Sequence, residues 1–325
     1  MKTLLTVVAG FLLSVLLIAI LIRYSGLTTA DLGTLLKRPN LPELLGIVVA
    51  SIAHMACGAL KWRAIVTRLA PKQTANAGHM FFIFYTTLSA ALAQFVMVHI
   101  ASLLVRGFAG RIHHKVPFVH GAAASVFEQM FDVYVLLVFA AAGITGWLFS
   151  LPPVAWIGVV VTAVVTGVLL LLITVALLRR HSRALPRHSR IGNWITACLE
   201  MGLIERTLVL RLYLFSVLRY MSMLGRTALI VAATAPAISL FDSTLGFTIV
   251  QSSQLIALTP GSLGITEWTW TGMLSLMGYP PATATAFSFA LRILSYASIL
   301  VVLAIAALLF AVEIRIPRRS SDCST

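Results

Sequence analysis

Apolar runs long enough to cross a membrane as helices fall near residues 4–22, 43–60, 80–105, 119–149, 154–178, 212–235, 240–279 and 282–312. A crossing helix needs roughly 20 mostly apolar residues. The chain is 59% hydrophobic and only 10% charged. The longest segment without such a run lies between Arg179 and Arg211, too short for an independent core. The expectation is an all-α polytopic membrane protein, residues 1–325 forming one integral membrane domain. Residues 4–22 follow Lys2 but are long for a signal peptide and lack a small-x-small cleavage site, so they read as an uncleaved first span.

The net charge of +14 invites a nucleic-acid reading, which the distribution of the charge rejects. Basic residues gather in short segments beside the runs: Lys61, Arg63, Arg68 and Lys72, then Arg179, Arg180, Arg183, Arg187 and Arg190. That is the positive-inside pattern of a membrane protein, reinforced by anionic lipid. Eight simple crossings fit it poorly, because the basic segment at 179–211 would then face outward. If residues 80–108 and 242–279 are re-entrant hairpins from opposite faces, 18 of the 24 Lys/Arg lie inside, three lie outside and three lie within spans. This arrangement has six full spans, two opposed hairpins and both termini in the cytoplasm. Residues 179–211 become a cytoplasmic loop with an interfacial helix near Ile191 to Leu210, and residues 313–325 a short tail. Two opposed hairpins are the layout of inverted-repeat transporters, whose sites lie near the midplane. The expected location is the bacterial inner membrane.

The second hairpin has a local signal. Thr259-Pro260-Gly261-Ser262-Leu263-Gly264 interrupts its run, and proline with two glycines breaks a helix. Irregular backbone at membrane depth survives only where protein or water satisfies it. Such a break aims the N-terminus of the following half-helix at one point, a fit to phosphate, although Glu267 stands where a capping acid would. The first hairpin turns around Gln94-Phe95-Val96-Met97-Val98-His99 with no such break. The expected tips are Gln94, His99, Pro260, Gly261, Ser262 and Gly264.

Seven ionisable residues interrupt the runs: Glu128, Asp132, Arg219, Arg226, Glu267, Arg292 and, near an edge, Asp242. A charge at the bilayer centre costs roughly 2.5–3.5 kcal/mol on insertion scales, so such residues face a bundle interior or a wet cavity. Glu128 and Asp132 share a helix face, and Glu128 sits ~15 Å deep by helical rise. The pair either couples a cation or proton or is locked by an arginine. Arg292 is similarly deep, with Tyr296 one turn on; it either clamps a phosphate or locks Glu128, Asp132 or Glu267. Arg219 is near enough to an end to snorkel, and Arg226 is deeper. The buried acids and bases are expected to couple, Glu128 with Arg292 among them. Trp268 and Trp270 are expected at the outer interface. Cys57, Cys198 and Cys323 show neither metal nor disulfide spacing. No cofactor motif, metal cluster or catalytic set stands out, so a transporter is favoured over an enzyme.

Ser125-Val126-Phe127-Glu128-Gln129-Met130-Phe131-Asp132, Thr259 through Glu267, Arg292-Ile293-Leu294-Ser295-Tyr296 and Lys61-Trp62-Arg63 stand in the order of four family motifs. Together they resemble the transmembrane region of lysylphosphatidylglycerol synthases and the standalone flippase-like proteins related to it. The resemblance spans nearly the whole chain. It implies movement of a lipid between leaflets. On the reading favoured from the residues themselves, Arg292 with Arg226 is expected to hold phosphate, and Glu128, Asp132 and Glu267 a cationic group or a coupling proton. The chain ends at Thr325 without the aminoacyl-transferase domain, so synthase activity is not implied. Gln129 stands where the family has arginine, and the first hairpin lacks the family's Pro/Gly break; both departures point away from lysyl lipids. The expected substrate is a phospholipid or polyprenyl-phosphate-linked lipid, so the expected partners are membrane lipids. The rival readings are an intramembrane transferase acting on a lipid-linked substrate, and a non-transporting partner of a glycosyltransferase or lipid-modifying enzyme.

Overall fold

The computed structural model describes residues 2–28, 30, 33, 36, 38–96, 98–181, 203, 205–253 and 259–315, without the side chains of 2–9, 98, 99 and 181. Among these residues every regular element is helical. The order is α1 (Lys2–Ser25), α2 (Leu41–Leu69), a single turn at Pro71–Thr74, α3 (His79–Leu92), α4 (Val98–His114), α5 (Phe118–Leu148) and α6 (Pro153–His181). It continues with α7 (Arg206–Thr234), α8 (Leu240–Ser253), a 3-10 turn at Pro260–Ser262, α9 (Ile265–Leu276) and α10 (Pro281–Arg315).

Five helices (α2, α5, α6, α7 and α10) are long and apolar enough to cross a membrane. The 24 residues of α1 add a further apolar helix. The remaining four are shorter. At 1.5 Å per residue, the 14 residues of α3 and of α8 reach ~21 Å, less than the ~30 Å hydrocarbon core. Each short helix packs on its successor, α3 on α4 and α8 on α9. So the long runs at 80–105 and 240–279 fold as paired short helices rather than as single spans.

α2 and α7 pack along each other over much of their length, and α5 and α10 pack on both of them. The α3–α4 pair lies on α2, α5 and α10; the α8–α9 pair lies on α5, α7 and α10. α6 and α1 are peripheral, with exposed flanks such as Val161, Val165 and Leu169 on one and Phe11, Leu12 and Leu16 on the other. Outward apolar side chains are what a lipid solvent asks for, and the buried core is correspondingly built from aromatics, β-branched residues and small residues. One close approach depends on missing side chains: a Cβ on Gly121 of α5 would lie 3.0 Å from Gly107 Cα of α4. The two helices therefore touch backbone to backbone, which matters for Arg106, the residue before Gly107.

Several boundaries differ from the sequence expectation. Arg206 to Leu210 form the first turn of α7, not the end of an interfacial helix, and residues 182–202 lie outside the described residues. α10 continues to Arg315, so the tail begins later than residue 313. Trp270 is 2% exposed and packs edge-on against Phe287, so it belongs to the core rather than to an interface. Trp268 instead donates its indole N–H to the Leu17 carbonyl of α1 at 2.9 Å and lies beside Tyr24. Lys61, read from sequence as part of a basic segment, and Arg106, just past the end of the 80–105 run, are buried within the bundle at 0% and 3% exposure.

Candidate functional site

Between the two short-helix pairs and the four central helices is a cavity of about 330 Å³. Its lining includes Gln94, Arg106, Glu128, Asp132, Arg219, Arg226, Gly261, Ser262, Glu267, Arg292 and Tyr296. The fold thus gathers on one space nearly all the ionisable residues that the apolar runs carry. Asp242 is elsewhere: its carboxylate accepts from Tyr279 at 2.7 Å, and the Tyr279 hydroxyl also accepts the Ser239 amide, tying the start of α8 to the end of α9.

On one side, Glu128 and Asp132 of α5 face three cations. Arg106 of α4 and Arg219 of α7 both reach Glu128, the latter at 3.1 Å. Arg219 also donates to Asp132 at 2.6 Å. Lys61 of α2 donates to Asp132 and, at 2.9 Å, to Ser216, which itself donates to Asp132 at 2.8 Å. Three helices therefore converge on two carboxylates one turn apart. The Gly107–Gly121 contact explains how α4 arrives: Gly121 lies two turns before Glu128 on the same face, and close contact there brings Arg106 to Glu128. Trp62, beside Lys61 in sequence, adds its ring under the Arg106 guanidinium at 5.4 Å. Buried charges persist in such sites because they are paired and hydrogen-bonded on several sides.

On the other side is Arg292 of α10. It pairs with Glu267 and Tyr296, and it donates to the carbonyls of Gly261 at 3.1 Å and Ser262 at 3.3 Å. Those carbonyls belong to the break between α8 and α9, where Gly261, Ser262 and Gly264 have positive φ of 57°, 53° and 86°. Peptide groups freed by the break are thus satisfied by an arginine. The second oxygen of Glu267 accepts the Gly264 amide at 2.7 Å. The start of α9 is therefore capped by Glu267, not left open for a phosphate, because a first-turn carboxylate is the nearest anion. Both glycines are also close to neighbouring elements. A Cβ on Gly261 would sit 2.6 Å from the Gln94 carbonyl at the turn of the first pair, and one on Gly264 would meet Leu17. The two turns touch through Gly261.

Arg226 of α7 differs from the rest. It is 9% exposed and lines the cavity, yet no carboxylate of the described residues is within ion-pair distance. Among the described residues it hydrogen-bonds Ser51 at 3.4 Å, and Ser51 in turn bonds Ser298 at 2.8 Å. Its Nε has no partner among the described residues, and the same holds for four other buried polar atoms of the lining: Arg106 Nε, Tyr220 Oη, Thr86 Oγ1 and Thr266 Oγ1. An uncompensated charge at this burial is costly, so Arg226 stands apart from the cations that are locked on acids.

Of the expected tip residues, Gln94, Pro260, Gly261, Ser262 and Gly264 lie at the two turns; the side chain of His99 lies outside the described residues. The coupling expected between Glu128 and Arg292 is replaced by two separate networks, because Arg106, Arg219 and Lys61 occupy Glu128 while Glu267 occupies Arg292. Arg219, expected to snorkel, is held by both carboxylates. Lys61 and Arg106 escape a sequence-based search for site residues because each stands near a second basic residue close to the end of an apolar run. The Lys61-Trp62 motif is the sequence signal for one of them. No group of three or more His, Cys, Asp or Glu poised for a metal occurs among the described residues.

The family model for the lysylphosphatidylglycerol synthase TM region matches residues 7–309. The chain belongs to this family. Membership carries a link to lipid handling in a membrane, and it fits the helical architecture and the order of the four motifs. Neither a curated protein nor a solved structure matches the chain. In this member of the synthase TM-region family, three of the four motifs supply a cavity residue directly, and the fourth supplies Lys61, which braces Asp132 from behind.

Proposed function

We propose that the protein is a flippase-like transporter that moves a phospholipid or polyprenyl-phosphate-linked lipid between the leaflets of the inner membrane. The observation that carries this reading is a cavity lined by ionisable residues at the meeting point of two short-helix pairs, with the buried guanidinium of Arg226 facing it and no carboxylate of the described residues paired with it. A lipid headgroup must leave water to cross a bilayer, and a polar cavity within the bundle substitutes for that water. Arg226 and Arg292 hold phosphate, Arg292 by exchanging Glu267 for it. Glu128, Asp132 and Glu267 bind the rest of the headgroup or a proton. The two pairs act as opposed re-entrant hairpins that open alternately, with the Gly261–Gln94 contact between them.

The test is a leaflet-resolved assay in proteoliposomes. Fluorescent phospholipid in the inner leaflet should become accessible to an external quencher faster with protein than without it, and Arg226→Gln should slow that exchange in protein that remains inserted. Exchange at the protein-free rate, across phospholipids and a polyprenyl phosphate, overturns transport. Appearance of a chemically altered lipid under the same conditions replaces it with the intramembrane transferase reading.

A further inference from the structure

The charges around the cavity do not balance, and the imbalance describes a substrate. Lys61, Arg106 and Arg219 stand on Glu128 and Asp132; Arg292 stands on Glu267; Arg226 stands on no acid among the described residues. With histidine counted neutral, five cations face three carboxylates. None of the five can shed its charge as cheaply as a histidine would, and four are arginines, which stay protonated in proteins. The surplus is therefore two positive charges, one localised on Arg226 and one shared within the Glu128 network. The polar atoms of the lining without protein partners agree in sense: two are guanidinium Nε–H groups, which can only donate, and the other three are hydroxyls, which can donate.

From this we infer that the cavity selects a lipid headgroup bearing two negative charges and no amine, a phosphomonoester being the simplest chemistry that fits. The inference rests on reading the cavity as a headgroup site, and it narrows that reading. A phosphomonoester carries about −1.5 to −2 at neutral pH and three acceptor oxygens. It answers both surplus charges and takes hydrogen bonds from the Arg226 fork and the neighbouring hydroxyls. A phosphodiester with one charge leaves one cation unanswered. A zwitterion such as phosphatidylethanolamine, or a lysyl-bearing lipid, brings an ammonium into a space that already holds excess positive charge. It can be accepted only by pulling Glu128, Asp132 or Glu267 off the cations they hold.

The experiment measures binding, separately from transport. Detergent-solubilised full-length protein is titrated with short-chain phosphatidic acid, phosphatidylglycerol, phosphatidylethanolamine and lysylphosphatidylglycerol. Phosphatidic acid should bind about tenfold more tightly than each of the others, the difference one extra charge-assisted contact makes. Its advantage over phosphatidylglycerol should shrink as pH falls through its second pKa of about 6. Arg226→Gln should remove that advantage. Arg226→Lys, which keeps the charge but not the fork, serves if the glutamine variant does not fold, and should retain part of it. Equal or tighter binding of phosphatidylglycerol, of the zwitterion or of the lysyl lipid overturns the inference, as does absence of binding by all four and by a polyprenyl monophosphate. A polyprenyl monophosphate arm distinguishes the two dianion sources. If the dianion binds but no lipid moves in proteoliposomes, the site stands and the transport reading fails.

Discussion

Replacing Glu128 with glutamine should be the most costly conservative change in the chain. Glu128 is 0% exposed, and it is approached by Arg106 from α4, Arg219 from α7 and Lys61 from α2. Glutamine keeps the shape and removes the charge, so the three cations are left with Asp132 alone. Removing one partner of a buried ion pair costs about 3–5 kcal/mol, chiefly because the remaining charge stays buried. Arg106→Gln should cost less than Glu128→Gln, since Glu128 would keep Arg219 and Lys61. In a double-mutant cycle the two changes should couple by about 0.5–3 kcal/mol, the range for residues in direct contact. The parallel cycle of Glu128→Gln with Arg292→Gln should be additive, because the two side chains share no partner. Glu205, half-exposed with Arg68 at 2.7 Å, is the surface reference; Glu205→Gln should cost about 0–1 kcal/mol. Equilibrium unfolding in mixed micelles measures all of these. If Glu128→Gln is as mild as Glu205→Gln, or if Glu128 couples to Arg292 and not to Arg106, the division of the cavity charges into two networks is wrong.

Gly261→Ala should destabilise by about 1–3 kcal/mol, since it puts a Cβ 2.6 Å from the Gln94 carbonyl at a positive φ; Gly225→Ala, in a helix with open space beside it, should be neutral or stabilising by up to ~1 kcal/mol in the same denaturation assay. Tyr279→Phe removes the hydroxyl shared by the Ser239 amide and Asp242, and should lower unfolding free energy by about 1 kcal/mol. For topology, cysteine at position 113 should label from the cytoplasm and cysteine at position 151 from outside; the reverse pattern would remove the re-entrant reading of α3 and α4.

Composition and run length were enough to determine a helical membrane protein, because in lipid the backbone of a lone segment can satisfy itself only as a helix, and hydropathy reads directly as span. The helix break at Pro260 to Gly264 was equally legible, since proline and glycine act on the chain locally. The cavity acids were legible too, because a charge inside an apolar run is too costly to face lipid and must turn toward a polar interior. Which charge meets which was not. Lys61 and Arg106 sit among basic neighbours, so hydropathy assigns them to the membrane edge; only the backbone contact of Gly107 with Gly121 and the packing of α2 along α7 carry them inward. Glu267 and Arg292 are 25 residues apart in the chain, and their pairing follows from how α9 folds back on α10. That Arg226 has no acid within ion-pair distance among the described residues can be decided only in three dimensions, because it depends on which cations Glu128, Asp132 and Glu267 already hold. Local chemistry writes the elements and the breaks into the sequence, whereas ion pairing is a property of distances between segments far apart along the chain.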